Sequence, residues 1–346
     1  MKRTLLLIAS IACCFLGSCT KDIQSPDFPD IPLVANFAKG ADVSWMTQME
    51  AAGIKFYNQS GTAQDLLQIL KDKGVNSIRL RVWVNPANGW CNTADMVAKA
   101  VRAKAMGFRI MLDIHYSDTW ADPGQQAIPA AWVGQDINTL KTTVYNYTVE
   151  VMNALKNKGI TPEWVQVGNE TNDGMLWDLG KASVSMKNYA GLVQSGYTAV
   201  KSVSSTSKVI VHLSNGNDNV LFRWMFDGLK ANGANWDAIG MSLYPTKATW
   251  QDMDKKCLAN MNDMVSRYNT EVMLCEVGMA ATDSLASKAF LADIIEKNNS
   301  VVNGKGLGVF YWEPEAYNGW ESYTLGAFDV NGKPTVAMDA FLIDKF

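Results

Sequence analysis

The stretch SIRLRVWVNPANGWCNTADMVAKAVRAKAMGFRIMLDIH, residues 77–115, holds a complete strand–helix–strand unit. Residues 77–84 place Arg79, Arg81 and Trp83 on one face and apolar side chains on the other, the two-residue period of a strand. Residues 93–106 change to an amphipathic helical spacing, Gly107 follows as a stop, and 110–115 is a second apolar strand ending in His115. Working outward, the same alternation recurs. Strands are predicted at 40–43, 164–168, 208–213, 238–243, 271–275 and 308–311, spaced by roughly 30 to 55 residues as βα units require. Amphipathic stretches lie between them at 63–73, 140–158, 189–203 and 255–268, two of them stopped by Gly74 and Gly159. Eight such units predict an α/β fold: a single-domain (β/α)8 TIM barrel over residues 36–346. A doubly wound open sheet is the alternative, but no GxGxxG loop opens a helix, and no repeat or second linker follows Pro32.

The chain has 346 residues, 48% of them hydrophobic, enough for one large α/β core. A formal charge of −3 without a long Lys/Arg run excludes an electrostatic nucleic-acid footprint. Twelve Trp and eleven Tyr supply flat apolar rings of the kind on which sugar rings stack.

Residues 1–18 read as a lipoprotein signal peptide. Lys2 and Arg3 precede the apolar run 5–15, which is too short to span a bilayer, and Leu16-Gly17-Ser18-Cys19 has the form of a bacterial lipobox. Cys19 is therefore the expected lipidation site, anchoring the protein to a membrane. Residues 19–35, with Pro26, Pro29 and Pro32, read as an extended tether of up to ~40 Å at about 3.1 Å per residue. This predicts an exported lipoprotein at the outer membrane or cell surface. Of the remaining thiols, Cys91 and Cys257 are not expected to pair, and Cys275 reads as a small buried hydrophobe. With only His115 and His212 and no CxxC or HExxH spacing, no metal site is expected.

Active sites of such barrels lie at the C-terminal strand ends. Reading the inward positions puts polar or aromatic groups at nearly every mouth position. These are Asp42; Arg79, Arg81 and Trp83; Asp113 and His115; Asn169 and Glu170; Tyr244; Glu276; and Trp312 with Glu313. Glu170 and Glu276 end apolar strands on opposite walls. Glycosidic cleavage needs such a carboxylate pair, one to protonate the leaving oxygen and one to attack or to activate water.

The motifs around these positions are GADVS (40–44), RLRVWVNP (79–86), LDIHYSDTWADP (112–123), VGNE (167–170), SLYP (242–245), Cys275-Glu276 and YWEP (311–314). Together they resemble the arabinogalactan endo-β-1,4-galactanases of glycoside hydrolase family 53, in the retaining clan A, over residues 38–344. The resemblance implies endo-hydrolysis of galactan with no cofactor, by a protein expected to be monomeric. It makes Glu170 the acid/base and Glu276 the nucleophile. It further implies that Asn169 binds the sugar 2-hydroxyl, and that Tyr244 and Arg79, with Arg81 as runner-up, orient the nucleophile. Trp312 becomes the floor of the −1 subsite, flanked by Trp83, Asp118 and Trp120, with Asp42 and His115 also at the mouth. Trp132, Trp177 and Trp320 are looser candidates for outer subsites, and His212 reads as structural. Residues 277–284 offer a single carboxylate, too few for the calcium loop some bacterial members carry after strand 7. The alternatives are another clan A specificity, β-mannanase or β-glucanase, or a non-catalytic surface glycan-binding lipoprotein.

Overall fold

The computed structural model describes residues 32–344. The signal peptide, Cys19 and all of the tether before Pro32 lie outside the described residues. Where the description begins, the chain is already docked on the barrel. Val34 N–H donates to Asn299 Oδ1 (2.7 Å), whose Nδ2 reaches the Pro32 carbonyl (3.3 Å).

Eight parallel strands close in sequence order. They are β1 (Ala38–Asp42), β2 (Ser77–Val82), β3 (Arg109–Ile114), β4 (Trp164–Val167), β5 (Lys208–Leu213), β6 (Ala238–Leu243), β7 (Glu271–Val277) and β8 (Gly306–Trp312). Their positions match the sequence expectation to within two residues at each end. Around them run α1 (Met46–Ala51), α2 (Leu66–Asp72), α3 (Thr93–Ala105), α4 (Ile137–Lys156), α5 (Ala182–Val203), α6 (Asn219–Ala231), α7 (Trp250–Tyr268) and α8 (Ser284–Asn299), and a 3-10 segment, Val336–Leu342, follows β8. Helix starts carry local reasons. Asp65, Asn92, Asp136 and Asp218 each cap the free N–H groups of the first turn, a contribution of about 1 kcal/mol apiece. Gly74, Gly107 and Gly159 take the positive φ predicted for helix stops. Two helices begin five or more residues earlier than the pattern suggested, α5 by seven and α7 by five. Ser185 breaks the first with φ −153°, and Gln251, Asp252 and Asp254 interrupt the start of the second, so neither shows a clean period.

The barrel interior is stratified. At the N-terminal end Ala38, Met111, Trp164, Ile210, Ala238, Met273, Cys275 and Phe310 form an apolar layer in which large rings oppose small residues. Gly40 and Gly240 belong to this interdigitation: a Cβ on Gly40 would stand 2.2 Å from the Phe310 ring, and one on Gly240 2.7 Å from Cys275 Sγ. Above this layer the inward positions turn polar, with Asp42, Arg79, Asp113, Gln166, His212 and Ser242 all buried. Cys91, Cys257 and Cys275 are free and buried, as expected.

This packing gives the first testable outcome. Gly40→Ala should destabilise the protein by about 1–3 kcal/mol in urea melts, because a rigid ring must move. Combining it with Phe310→Leu should cost less than the sum of the two single changes. Strict additivity would contradict the interdigitation.

Candidate active site

The C-terminal mouth opens into a cavity of about 430 Å³ lined by Trp45, His115, Trp120, Ala121, Asp122, Asn169, Glu170, Tyr244, Glu276, Trp312, Glu321, Ser322, Tyr323 and Leu325. A larger hollow of about 700 Å³ lies at the other end, against Lys208, Asp237 and Glu271 where strands begin. Of its four lysines, Lys201 and Lys208 are paired at 2.6 Å, with Asp237 and Glu271, and it holds none of the convergent groups found at the mouth.

Arg79 of β2 organises the mouth. Its side chain is buried and paired with Asp42 of β1 (2.5 Å), Asp113 of β3 (2.9 Å) and Glu276 of β7 (2.7 Å). Its Nε donates to Gln166 Oε1 (2.7 Å) and its Nη2 to Asn169 Oδ1 (2.9 Å). The second oxygen of Glu276 accepts from the Tyr244 hydroxyl at 2.8 Å. Burial, then the charge on Glu276, push the Tyr244 phenol far up, so it remains a donor. Asp113 is pushed up by burial, yet Arg79 and His115 hold it below the usual carboxylate range.

Two local irregularities aim the carboxylates. Met273 and Cys275 both face the barrel centre, so strict alternation would turn Glu276 outward. The β6–β7 register instead shifts, pairing Met241 with Leu274 but Ser242 with Glu276, and the bulge at Cys275 turns Glu276 inward. Glu170 sits at φ 43°, in the left-handed region that residues with a side chain seldom adopt; Tyr116 and Glu313, just beyond β3 and β8, do the same at 51° and 45°.

The two carboxyls have unequal surroundings. Burial and then the charge on Glu276 push Glu170 up to about 8. Burial also raises Glu276, opposed by Arg79 and Tyr244. Because Glu276 has a cation at 2.7 Å and a phenol donor at 2.8 Å, it ionises first, and near neutral pH the shared proton resides on Glu170. The pair is therefore set as one acid and one carboxylate.

The expected site residues separate into two shells. His115, Trp120, Asn169, Glu170, Tyr244, Glu276 and Trp312 line the cavity. Asp42, Arg79, Trp83 and Asp118 are not among its lining. Asp42 holds Arg79 and accepts from Ser44. Trp83 spends its indole N–H on His115 Nδ1 (3.1 Å), and Asp118 accepts the backbone N–H groups of Asn85 and Ala130 (2.9 and 2.8 Å). The arginine beside Glu276 is Arg79. Arg81 instead pairs with Glu313, its guanidinium 4.6 Å from the centre of the Trp120 ring and 5.1–5.9 Å from those of Trp45, Trp83 and Trp312. That cage braces the aromatic floor. Trp132 packs edge-on against Tyr147, and Trp177 carries Lys181 on its ring at 4.4 Å, both away from the lining.

Sequence reasoning missed several residues. Trp45 and Tyr323 line the cavity, their rings 5.1 and 4.7 Å from that of Trp312. Trp45 directly follows the GADVS motif, a usable signal, whereas Tyr323 lies in an irregular loop with none. Gln166 and His212 stand directly behind Asn169 and Glu170.

Comparison with known proteins agrees with this geometry. The Glycosyl hydrolase family 53 profile matches residues 38–341. A probable arabinogalactan endo-β-1,4-galactanase A of Aspergillus terreus is 38% identical over 301 residues, covering 80% of this chain and 85% of that one. A fungal β-1,4-galactanase structure superposes with TM-score 0.82 at 31% identity, over 89% of this chain and 99% of that one. The family 53 catalytic domain of Ignisphaera aggregans gives TM-score 0.81 at 29% identity, covering 93% and 98%.

The ion-pair cluster predicts a pH-dependent penalty. Arg79→Met removes the cation from three carboxylates and should cost about 3–5 kcal/mol. Without it the folded-state carboxyl pKa values rise above their unfolded values, so the native state holds the extra protons and stability falls as pH rises. Urea melts of the variant against the native protein should therefore diverge more at pH 8 than at pH 4. A constant difference would contradict the arrangement.

Proposed function

The chain belongs to glycosyl hydrolase family 53, and from that membership we propose that it is a retaining endo-β-1,4-galactanase acting on pectic galactan, with Glu170 as acid/base and Glu276 as nucleophile. One observation carries the residue roles: a half-buried Glu170 just beyond β4 and a buried Glu276 on β7 line one cavity with Trp312, and only Glu276 has a cation against it.

The reaction proceeds in two displacements. A galactosyl ring stacks on Trp312, its apolar face against the indole. Glu276, oriented by Arg79 and Tyr244, attacks the anomeric carbon while the Glu170 proton passes to the departing glycosidic oxygen. Charge on the nucleophile is consumed as the covalent galactosyl ester forms, and the electrostatic pressure holding the proton on Glu170 is released. Glu170, now a carboxylate, takes a proton from water, whose oxygen displaces Glu276 and restores the original configuration. Asn169 is fixed for substrate contact, its Oδ1 accepting from Arg79 and its Nδ2 donating to the Ala121 carbonyl (2.9 Å each).

We also propose that the protein works as a surface lipoprotein anchored through Cys19. The LGSC sequence at the end of the apolar run supports this. So does the course of the chain: Pro32–Val34 docks against Asn299, at the C-terminus of α8 and hence the barrel end opposite the mouth, so a tether leaving there points the cleft away from the membrane.

Purified protein on potato or lupin galactan should release a spread of mid-sized fragments at early times, the β-anomer appearing first by proton NMR. The kcat/KM should fall as pH rises through about 8, because Glu170 loses the proton it must donate. Glu170→Gln and Glu276→Gln should each lower activity at least ~10²-fold. Galactose as the sole early product, or full activity in Glu170→Gln, would overturn the assignment. For the anchor, Cys19→Ser should abolish fatty-acid labelling and shift the protein from membrane to soluble fractions; unchanged labelling would refute it.

A further inference from the structure

A line of buried side chains runs behind the mouth from Arg79 to Glu170, and every proton in it points the same way. Arg79 has only donors, so its 2.7 Å contact from Nε fixes Gln166 Oε1 as acceptor and turns the Gln166 amide nitrogen toward His212. That nitrogen lies 2.8 Å from His212 Nδ1, closer than Asn169 Oδ1 at 3.0 Å, whose oxygen already accepts from Arg79; Nδ1 therefore accepts from Gln166, and the imidazole proton sits on Nε2. His212 Nε2 in turn donates to Ser242 Oγ at 2.8 Å. The Ser242 hydroxyl proton is left free to point onward; Ser242 stands opposite Glu276 in the β6–β7 register, and its hydroxyl lowers the Glu170 carboxyl pKa against the rise from burial. His212 also touches the other end of Glu170, whose backbone N–H approaches Nδ1 at 3.4 Å. Gln166, His212 and Ser242 are all completely buried.

We propose that Gln166, His212 and Ser242 are positioning residues that form a one-way hydrogen-bond relay, carrying the polarisation of Arg79 to the carboxyl group of Glu170. The inference rests on the reading of Glu170 as acid/base. A chain of donors ending at a carboxyl stabilises its charged form, and each bond polarises the next. That help is small while Glu170 is protonated and grows as its proton leaves, so it falls on the transition state and the covalent intermediate rather than on the resting enzyme. The relay also connects the two carboxylates. Arg79 is shared between Glu276 and Gln166, so when Glu276 loses its charge to the ester, Arg79 polarises the relay more strongly, just as Glu170 becomes anionic. His212 suits the task because burial, and next Arg79, hold its pKa well below the ordinary value. It stays neutral, with one acceptor and one donor.

Carbon-13 NMR of protein labelled at the Glu carboxyl carbon reads the prediction without substrate, the Glu170 signal being assigned by its loss in Glu170→Gln. In Ser242→Ala the midpoint of the Glu170 titration should rise by about one, a roughly tenfold weaker acid, as expected for losing a hydrogen bond to a carboxylate. Ser242→Thr, which keeps the hydroxyl, should restore it. Gln166→Met, which does not touch Glu170, should move it the same way by a smaller amount, and carries the test if Ser242→Ala does not fold. The alkaline limb of kcat/KM should move with the titration. A Glu170 midpoint unchanged in a folded Gln166→Met protein overturns the relay. Native protein inactive on galactan would overturn the functional reading alone, since the titration stands without activity.

Discussion

The structure turns on one buried cation. Arg79 is wholly enclosed, so its removal from water has to be offset by close partners, and Asp42, Asp113 and Glu276 supply that offset from three other strands. Gln166 and Asn169 bring in the β4 wall as well. Four of the eight strands, together with the residue just beyond β4, are thereby tied to a single guanidinium. Isolated buried ion pairs are poor sources of stability. This one is better understood as a device for specificity: it holds Glu276 in one orientation, with a cation against it, before substrate arrives.

The layered interior separates folding from chemistry. Below, Trp164, Phe310, Met111 and Met273 pack against Ala38, Ala238 and glycines, an arrangement that depends on volume alone. Above, buried polar groups are joined into networks whose members each have a partner, Gln166 between Arg79 and His212 being an example. The catalytic end accepts strain that the lower layer does not show. Glu170 and Glu313 adopt left-handed backbone angles at the mouth, where surrounding hydrogen bonds over-determine their positions.

Much of this was legible from residue order. Strand positions followed from short apolar runs at βα spacing. Inward alternation correctly placed Asp42, Arg79, Asp113 and His115, because those strands are regular. Alternation alone fails at β7: Met273 and Cys275 already face inward, and only a register shift against β6, invisible in a single sequence, adds Glu276 to them. Trp83 and Asp118 lie in a motif that reads as substrate-facing, yet their polar atoms are spent on His115 and on loop backbone. Proximity in sequence to a mouth residue does not reveal which shell a side chain occupies. His212 illustrates the opposite case. It has no motif around it, and its importance comes from neighbours 46 and 30 residues away, Gln166 and Ser242.

Arg79 and Arg81 show how the surroundings, rather than the residue type, assign a role. They sit two positions apart on the same strand, face the same way and are equally buried. Arg79 meets three carboxylates and a polar wall, so it acts on charge. Arg81 meets Glu313 and four indole rings, and two of its nitrogens have no hydrogen-bond acceptor. Burial and the neighbouring Glu313 push Glu315 far above the usual carboxylate range, so Glu313 is the carboxyl that pairs with Arg81. The guanidinium's remaining face meets π-electrons instead. Such a contact favours rings in fixed planes, and Trp120 and Trp312 are both cavity-lining rings. Exchanging the two neighbourhoods would leave the sequence motif intact and deprive Glu276 of its cation.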